Sequence, residues 1–391
     1  MKKPEPISDV FNQYISRFDY ISFHTPDTSN DKLKAIIVIP CYNEPNITAC
    51  LESVYNTQIN TTIFKCIVVV NAADESPQQV KEQNQQSIQD IEAFCLKYGV
   101  NNIYTIVFED MPKKHAGVGL ARKVGMDEAA RKFSLNHNPD GIIICLDADC
   151  TVSENYIDEI ISTFERNAKT DFATIKYKHL LEGLDPIYAQ SITLYEKHLN
   201  YYSDALNYCQ LPYHFQTVGS CMVVKVIPYM LSGGMNKRKA GEDFYFLHKL
   251  AKTYTHQYIE NACVYPSARI SDRVPFGTGK AMNEIIFENH ISLKTYHPEI
   301  FKVIKVYVSQ MTDFYNHDNA FDYVPQELIA YIQTNNYIQQ LTSIKRQSTN
   351  EKNYLKRLFH WFDGFEVLKM VHYLRDHTFG EMDVNKIENI F

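Results

Sequence analysis

The sequence predicts an α/β protein with a mostly parallel sheet flanked by helices, and with a helical appendage at its C-terminal end. Four short apolar runs in the first half are continuous rather than alternating, which is typical of strands covered on both faces. Longer amphipathic segments separate these runs, and strand–helix–strand repeats of this kind predict a parallel sheet with right-handed crossovers. From about residue 281 the chain is polar and aromatic at helical spacing and has few glycines and prolines.

The first half supplies four predicted strands, at residues 36–39, 66–70, 103–108 and 142–146. The helices between them are predicted at residues 48–55, 78–98 and 118–135, because each segment carries one apolar face. Ligands of such sheets bind beyond the carboxyl ends of the strands, where helix N-termini direct their N–H groups into a crevice.

The second half continues with a different pattern. We predict a helix at residues 153–167 with Ser153 as its N-cap, strands at 171–177 and 221–226, and an aromatic-rich helix from 186 to about 208. A further helix is predicted to begin near Gly241.

A chain of 391 residues is long enough for two domains, or for one large domain with an appendage. We predict an N-terminal extension at residues 1–33 and a catalytic domain at 34–280. That domain comprises a nucleotide-binding half at 34–150 and an acceptor half at 151–280, and residues 281–391 form the helical C-terminal region.

Composition excludes several classes of protein. A formal net charge of −7 offers no general electrostatic case for nucleic-acid binding. The nine cysteines never form C-x-x-C and lie mostly in apolar runs, which indicates reduced core residues in a cytoplasmic protein and no clustered zinc ligands. The N-terminus has no apolar segment of the kind a secretory signal needs, and no apolar run reaches the length of a membrane-spanning helix.

Two acidic residues follow the fourth predicted strand. Asp147 and Asp149 stand at i and i+2 where a buried strand opens into a loop, so their carboxylates can bind Mg²⁺ or Mn²⁺, and that ion can bind a diphosphate. The alternative is a pair of solvated acids in a turn. The position after three earlier strands favours the metal site.

A second acidic pair, Glu242 and Asp243, opens the helix predicted near Gly241. Acidic residues are favoured in the first turn of any helix by the helix dipole, so a structural role is one interpretation. The functional interpretation is that one carboxylate removes a proton from an incoming hydroxyl.

Four segments in this order resemble the family 2 glycosyltransferases of the GT-A fold, a Rossmann-like α/β fold. They are V-I-P-C-Y-N-E at 38–44, G-L-A-R-K-V-G at 119–125, L-D-A-D at 146–149 and G-E-D at 241–243. The resemblance extends over about residues 34–280.

The resemblance implies donor-binding roles for residues of the first two loops and the third helix. Pro40, Tyr42 and Glu44 match the loop that in this family binds the base and ribose. Asp74 lies near the position of a family acid that recognises the base. Arg122 falls in the helix beside the nucleotide.

The two acidic pairs also match family positions. Asp147 and Asp149 correspond to the D-x-D that binds the ribose side and the metal-bound diphosphate. Asp243 corresponds to the proposed catalytic base, with Glu242 beside it.

The sequence departs from the family pattern at two points. The second strand ends in N-A-A-D at 71–74 instead of an acidic D-D-G-S-like turn, which bears on recognition of the base. The Q-x-x-R-W motif of processive synthases is absent, so we expect a non-processive enzyme.

Two further features have alternative interpretations. Arg273 and Lys280 follow the acidic pair in a glycine-bearing segment, either as a loop that closes on the donor diphosphate or as an ordinary surface turn. Tyrosines between 188 and 213 form either a stacking wall for an acceptor sugar or part of the core.

The resemblance therefore implies a metal-dependent enzyme that transfers one sugar from a nucleotide-diphosphate sugar, with a UDP-sugar as first choice, to the hydroxyl of a glycan or small molecule. Single displacement predicts inversion, with retention as the alternative. The other functional hypotheses are a sugar-phosphate nucleotidyltransferase and a non-catalytic nucleotide-sugar binder. The C-terminal helices have three alternative roles: they shape the acceptor site, they contact a membrane surface through aromatic residues such as Phe359, Trp361 and Phe362, or they bind a partner.

Overall fold

The computed structural model describes residues 5–23, 25–27, 32–57, 63–269, 278–288, 291–318 and 324–387. Its strands are β1 Ala35–Cys41, β2 Phe64–Ala73, β3 Ile103–Met111, β4 Ile142–Cys145, β5 Thr151–Val152, β6 Phe172–Tyr177, β7 Met222–Lys225, β8 His256–Tyr265, β9 Lys294–Tyr296 and β10 Glu381–Asp383. Its α-helices are α1 Ile7–Arg17, α2 Ile47–Tyr55, α3 Gln78–Tyr98, α4 Val118–Leu135, α5 Tyr156–Arg166, α6 Pro186–Tyr208, α7 Val226–Leu231, α8 Glu242–Ala251, α9 Thr278–Asn283, α10 Pro298–Asp313, α11 Ile329–Thr334, α12 Tyr337–Arg346, α13 Glu351–Trp361 and α14 Gly364–Leu374.

Eight strands form one central sheet in the order β3-β2-β1-β4-β7-β6-β8-β5. The four strands of the first half are parallel to one another, with Val38 of β1 paired to Ile67 of β2 and to Cys145 of β4. Strand β7 runs antiparallel to both of its neighbours, so the sheet is mixed beyond β4. The predicted α/β architecture is confirmed.

The parallel half agrees closely with the prediction. Every residue of β1 is buried, as expected for a strand between two helical layers. Helices α3 and α4 have the predicted limits, and α2 begins one residue earlier than predicted.

The second half differs in two places. Helix α5 begins at Tyr156, so the prediction of Ser153 as its N-cap is wrong. Ser153 instead extends the β5–β8 pairing: its N–H donates to the Cys263 carbonyl at 2.9 Å, and its hydroxyl accepts from the Cys263 N–H at 3.0 Å. Strands β5 and β8 were not predicted.

An N-terminal segment covers the outer face of α4. We call residues 5–23 and 25–27 the N-terminal strap. Asp127 of α4 is fully buried and accepts hydrogen bonds from the Tyr14 hydroxyl at 2.6 Å and the Ile21 N–H at 3.1 Å. Thr25 donates twice to Glu128, through its N–H at 3.1 Å and its hydroxyl at 2.6 Å. The strap thus supplies the polar partners that allow charged residues of α4 to be buried.

The C-terminal helices pack on the same hydrophobic core as α4 and α7. Phe362 is fully buried and Trp361 packs edge-on to Tyr337 at 4.8 Å between ring centroids, so Phe362 offers no surface for a membrane. None of the helices in the described ranges combines the length and apolar character needed to cross a bilayer. The nine cysteines are free thiols, and seven of them are buried.

Candidate active site

A cleft of about 970 Å³ opens at the carboxyl ends of β1, β2 and β4. Most of the residues proposed from the sequence line it: Pro40, Tyr42, Glu44, Arg122, Asp147, Asp149, Glu242 and Asp243. Asp74 is exposed and does not line the cleft. Arg273 lies outside the described residues.

The loop after β1 is held by buried polar side chains from its neighbours. Asn43, whose φ is +47°, donates its N–H to the Asn84 side chain at 2.9 Å. The Glu44 carbonyl accepts the Ser87 hydroxyl at 2.8 Å. Asn71, the first residue of the N-A-A-D segment, donates to the Cys41 carbonyl at 2.9 Å. The asparagine thus joins the ends of β1 and β2 and plays a structural part.

Arg122 lies on α4 at the bottom of the cleft with its side chain only 1% exposed. Its guanidinium donates to the Asp147 carboxylate at 2.6 Å and also forms an ion pair with Glu242. Burial by itself would lower the pKa of Arg122, but the two carboxylates outweigh burial and raise it. Arg122 therefore stays charged and ties β4 to the start of α8.

Glycine at position 219 makes room for this guanidinium. A Cβ at Gly219 would lie 2.7 Å from Nη2 of Arg122, which is closer than such contacts allow. The resemblance placed Arg122 beside the nucleotide; the structure places it between the two acidic pairs.

Asp149 is joined to the loop after β1 through Arg269, a residue that the sequence analysis missed. Nη2 of Arg269 lies 3.1 Å from Oδ2 of Asp149. The same guanidinium forms an ion pair with Glu44, in which Nη2 pairs with Oε2 and Nη1 donates to Oε1 at 3.1 Å. Arg269 comes four residues after β8. Since β8 itself was not predicted, no signal in the sequence placed this arginine at the cleft, and Arg273 was predicted to bind the donor instead.

Asp243 is the carboxylate whose chemistry the cleft alters most. Its Oδ1 accepts the Phe244 N–H at 2.7 Å, and its side chain keeps partial contact with solvent. Burial and the neighbouring Glu242 raise the pKa of Asp243 to about 7, although Arg122 and the Phe244 N–H act in the opposite direction. A carboxylate with a pKa near neutrality suits a general base.

The opposite wall of the cleft comes from β6 and α6. Tyr177, His179, Tyr195 and Leu199 line it, whereas Tyr201 of the same helix is buried in the core. One face of α6 therefore meets the cleft and another meets the core; the role of the cleft face in binding an acceptor sugar stays a prediction.

The residues at the cleft fit a hard divalent cation that is shared with a substrate. Asp147 and Asp149 are 37% and 28% exposed at their side chains and face the same cleft. Magnesium is usually bound by one or two carboxylates together with substrate phosphates. Within the described ranges no group of three or more His, Cys, Asp and Glu residues is arranged to bind a metal by itself.

Comparison with known proteins gives a family match and a set of solved structures. Residues 36–226 match the family described as glycosyl transferase family 2. S. aureus TarS 1–349 is 16% identical, with a TM-score of 0.41 over 76% of this chain and 83% of that chain. The same protein in complex with UDP-GlcNAc is 15% identical, with a TM-score of 0.42 over 76% of this chain and 83% of that chain. None of the curated proteins matches the chain.

Proposed function

From the family 2 glycosyltransferase domain that residues 36–226 form, we propose that this protein transfers a single sugar from a nucleotide-diphosphate sugar to a hydroxyl acceptor with inversion. The family match confirms the resemblance drawn from the motifs. One observation carries the proposal: Asp243, with a pKa of about 7, lines the same cleft as Asp147 and Asp149. A candidate base and a candidate diphosphate site therefore share one pocket.

The donor lies with its nucleotide against the loop after β1 and its diphosphate near Asp147 and Asp149. Asp149, with help from Asp147, would hold magnesium or manganese, and that ion would supply positive charge to the departing diphosphate. A UDP-sugar is the first choice of donor. Because Arg269 already bridges Asp149 and Glu44, this guanidinium is also in place to contact a phosphate oxygen.

The acceptor hydroxyl approaches from the side of Asp243. As its oxygen forms a bond to the anomeric carbon, the bond from that carbon to the diphosphate oxygen breaks and its electron pair leaves with the nucleotide. The Asp243 carboxylate accepts the hydroxyl proton. Attack on the face opposite the leaving group inverts the anomeric centre.

Thermal unfolding against a panel of UDP-, GDP-, CMP- and dTDP-sugars, with and without Mn²⁺, tests the donor site, because a ligand of the native state raises the midpoint. We expect a rise that needs one nucleotide and the metal together and that is lost in Asp149→Ala. Asp158→Asn, an exposed residue of α5 outside the cleft, is the matched control.

Turnover tests the base. Asp243→Asn should lower kcat by roughly 10²- to 10⁴-fold, the usual contribution of a general base. Turnover at the wild-type level in both Asp149→Ala and Asp243→Asn would contradict the assignment. A thermal shift with nucleoside triphosphates or sugar phosphates alone would favour the nucleotidyltransferase.

A further inference from the structure

The wall formed by β6 and α6 contains a histidine that is fixed in place by a carboxylate. His179 lines the cleft, and its side chain is only 1% exposed. Its Nδ1 lies 2.7 Å from Oε1 of Glu196, and its backbone N–H donates to the same oxygen at 2.7 Å. One carboxylate oxygen of α6 therefore holds both the ring and the backbone of His179.

This contact determines which ring nitrogen carries the proton. A carboxylate accepts hydrogen bonds, so Nδ1 of His179 carries hydrogen, and in the tautomer with this single N–H the other nitrogen, Nε2, presents its lone pair. Among the described residues Nε2 has no hydrogen-bond partner, although it is buried. A buried acceptor that is left unpaired destabilises the folded protein, and a ligand that donates to it removes this penalty.

Tyr177 repeats the feature two residues earlier. Its hydroxyl is also buried and unpartnered within the described part of the chain, and it lines the same cleft. Burial raises the pKa of Tyr177 well above its usual value, so the hydroxyl keeps its proton and can donate. The Tyr177 and His179 rings meet edge to face at 6.1 Å between centroids. A hydrogen-bond donor and an acceptor, both lacking partners, thus stand side by side on one wall.

We propose that Tyr177 and His179 form a subsite for a sugar hydroxyl, which donates to Nε2 of His179 and accepts from the Tyr177 hydroxyl. Glu196 is a positioning residue, since it acts through the histidine. Tyr195, which lines the cleft and whose pKa is raised by burial and by Asp243, supplies an aromatic surface beside this pair. The subsite rests on the proposed function, because it requires a sugar in the cleft.

The hydroxyl can belong to the donor sugar or to a sugar acceptor, and the two sources are separated by measurement. Calorimetric titration with UDP and with UDP-GlcNAc in the presence of Mn²⁺ isolates contacts to the donor sugar. Transfer to a panel of p-nitrophenyl glycosides gives kcat/KM for the acceptor that the wild type uses fastest. If the wild type uses none of these glycosides, the calorimetric titration alone tests the subsite.

The variants distinguish the two nitrogens of His179. Asparagine can still donate to Glu196 but has no atom near the Nε2 position, whereas glutamine can place an acceptor there. If the hydroxyl belongs to the donor, we expect His179→Asn to lower the affinity for UDP-GlcNAc by roughly 10- to 100-fold and to leave the affinity for UDP unchanged. If it belongs to the acceptor, the same variant should lower kcat/KM for the acceptor by roughly 10- to 100-fold. His179→Gln should lower the same quantity by a smaller factor. Tyr177→Phe removes only a hydroxyl and should lower the same quantity by about 10-fold.

His198→Asn is the matched control, because His198 lies on α6, pairs with the Thr295 hydroxyl at 2.8 Å and does not line the cleft. Wild-type binding and transfer in His179→Asn and Tyr177→Phe, with Asp243→Asn inactive, would overturn the subsite alone. A wild type that binds no nucleotide sugar and glycosylates no member of the panel would overturn the proposed function and the subsite with it.

Discussion

Replacing Asp243 by asparagine should make the protein more stable at pH 8 while leaving its stability at pH 4 unchanged. The pKa of Asp243 rises from an ordinary 3.8 to about 7 in the folded protein. The folded state therefore binds the proton more tightly than the unfolded state, and the free energy of unfolding falls as the pH rises from about 4 to about 7. Above pH 7 the loss is complete. Asparagine removes this dependence.

The magnitude follows from the change in proton affinity. A tenfold change corresponds to about 1.4 kcal/mol, so a rise from 3.8 to about 7 is equivalent to roughly 4 kcal/mol. Because the side chain keeps partial contact with solvent, we expect about half of this, ~2 kcal/mol, to appear as the difference at pH 8. The amide should keep the hydrogen bond from the Phe244 N–H.

Urea unfolding of the wild type and Asp243→Asn at pH 4, 5, 6, 7 and 8 measures the effect. Other titrating groups are common to both proteins, so the difference between the two curves isolates Asp243. That difference should be near zero at pH 4 and grow to its full value by pH 8. Curves that stay parallel across the range would refute the reasoning, since they would show that Asp243 has the same pKa in both states.

Three further outcomes are expected. First, kcat/KM should rise about tenfold per pH unit below pH 7 and level off above it, because only ionised Asp243 acts as a base; a profile flat from pH 5 to 8 would contradict that role. Second, Gly219→Ala should lower both the free energy of unfolding and turnover, because the added Cβ would lie only 2.7 Å from Nη2 of Arg122 and would push the guanidinium away. Wild-type turnover and a wild-type urea midpoint in this variant would show that the guanidinium has room to move. Third, deleting residues 1–27 should cost several kcal/mol of unfolding free energy, about 1–3 for each buried polar group left without its partner; an unchanged urea midpoint would show that the strap contributes nothing.

The parallel half of the sheet could be predicted because its signal is local. Residues 36–39 and 66–70 are uninterrupted apolar runs, as expected for strands buried on both faces. Asp147 and Asp149 follow from the same reasoning, since the ends of parallel strands converge at one edge of a sheet. Glu242 and Asp243 open a helix, where acidic residues are common anyway, so their place in the cleft was predicted from the family resemblance and not from the local pattern.

The missed elements depend on distant contacts. The buried residues of strand β8 are Ile259, Ala262 and Val264, which do not keep a regular alternation, and the register against β6 shifts between Ile175 and Lys176. Without β8 there was no reason to bring Arg269 to Glu44, 225 residues away in sequence. The Ser153 prediction failed because a good N-cap residue was used in strand pairing, which only the position of β8 decides.

The N-terminal strap also sets an order of events during synthesis. Asp127, which accepts a hydrogen bond from the Tyr14 hydroxyl, leaves the ribosome 113 residues after Tyr14. Tyr229, which binds the same carboxylate at 2.6 Å, is 102 residues beyond that. At typical rates of translation, roughly ten seconds or more pass between the synthesis of Tyr14 and that of Tyr229, when the surface that binds the strap is complete. The strap is therefore synthesised well before the surface that it binds is complete, and until it docks Asp127 lacks the hydrogen bonds from Tyr14 and Ile21.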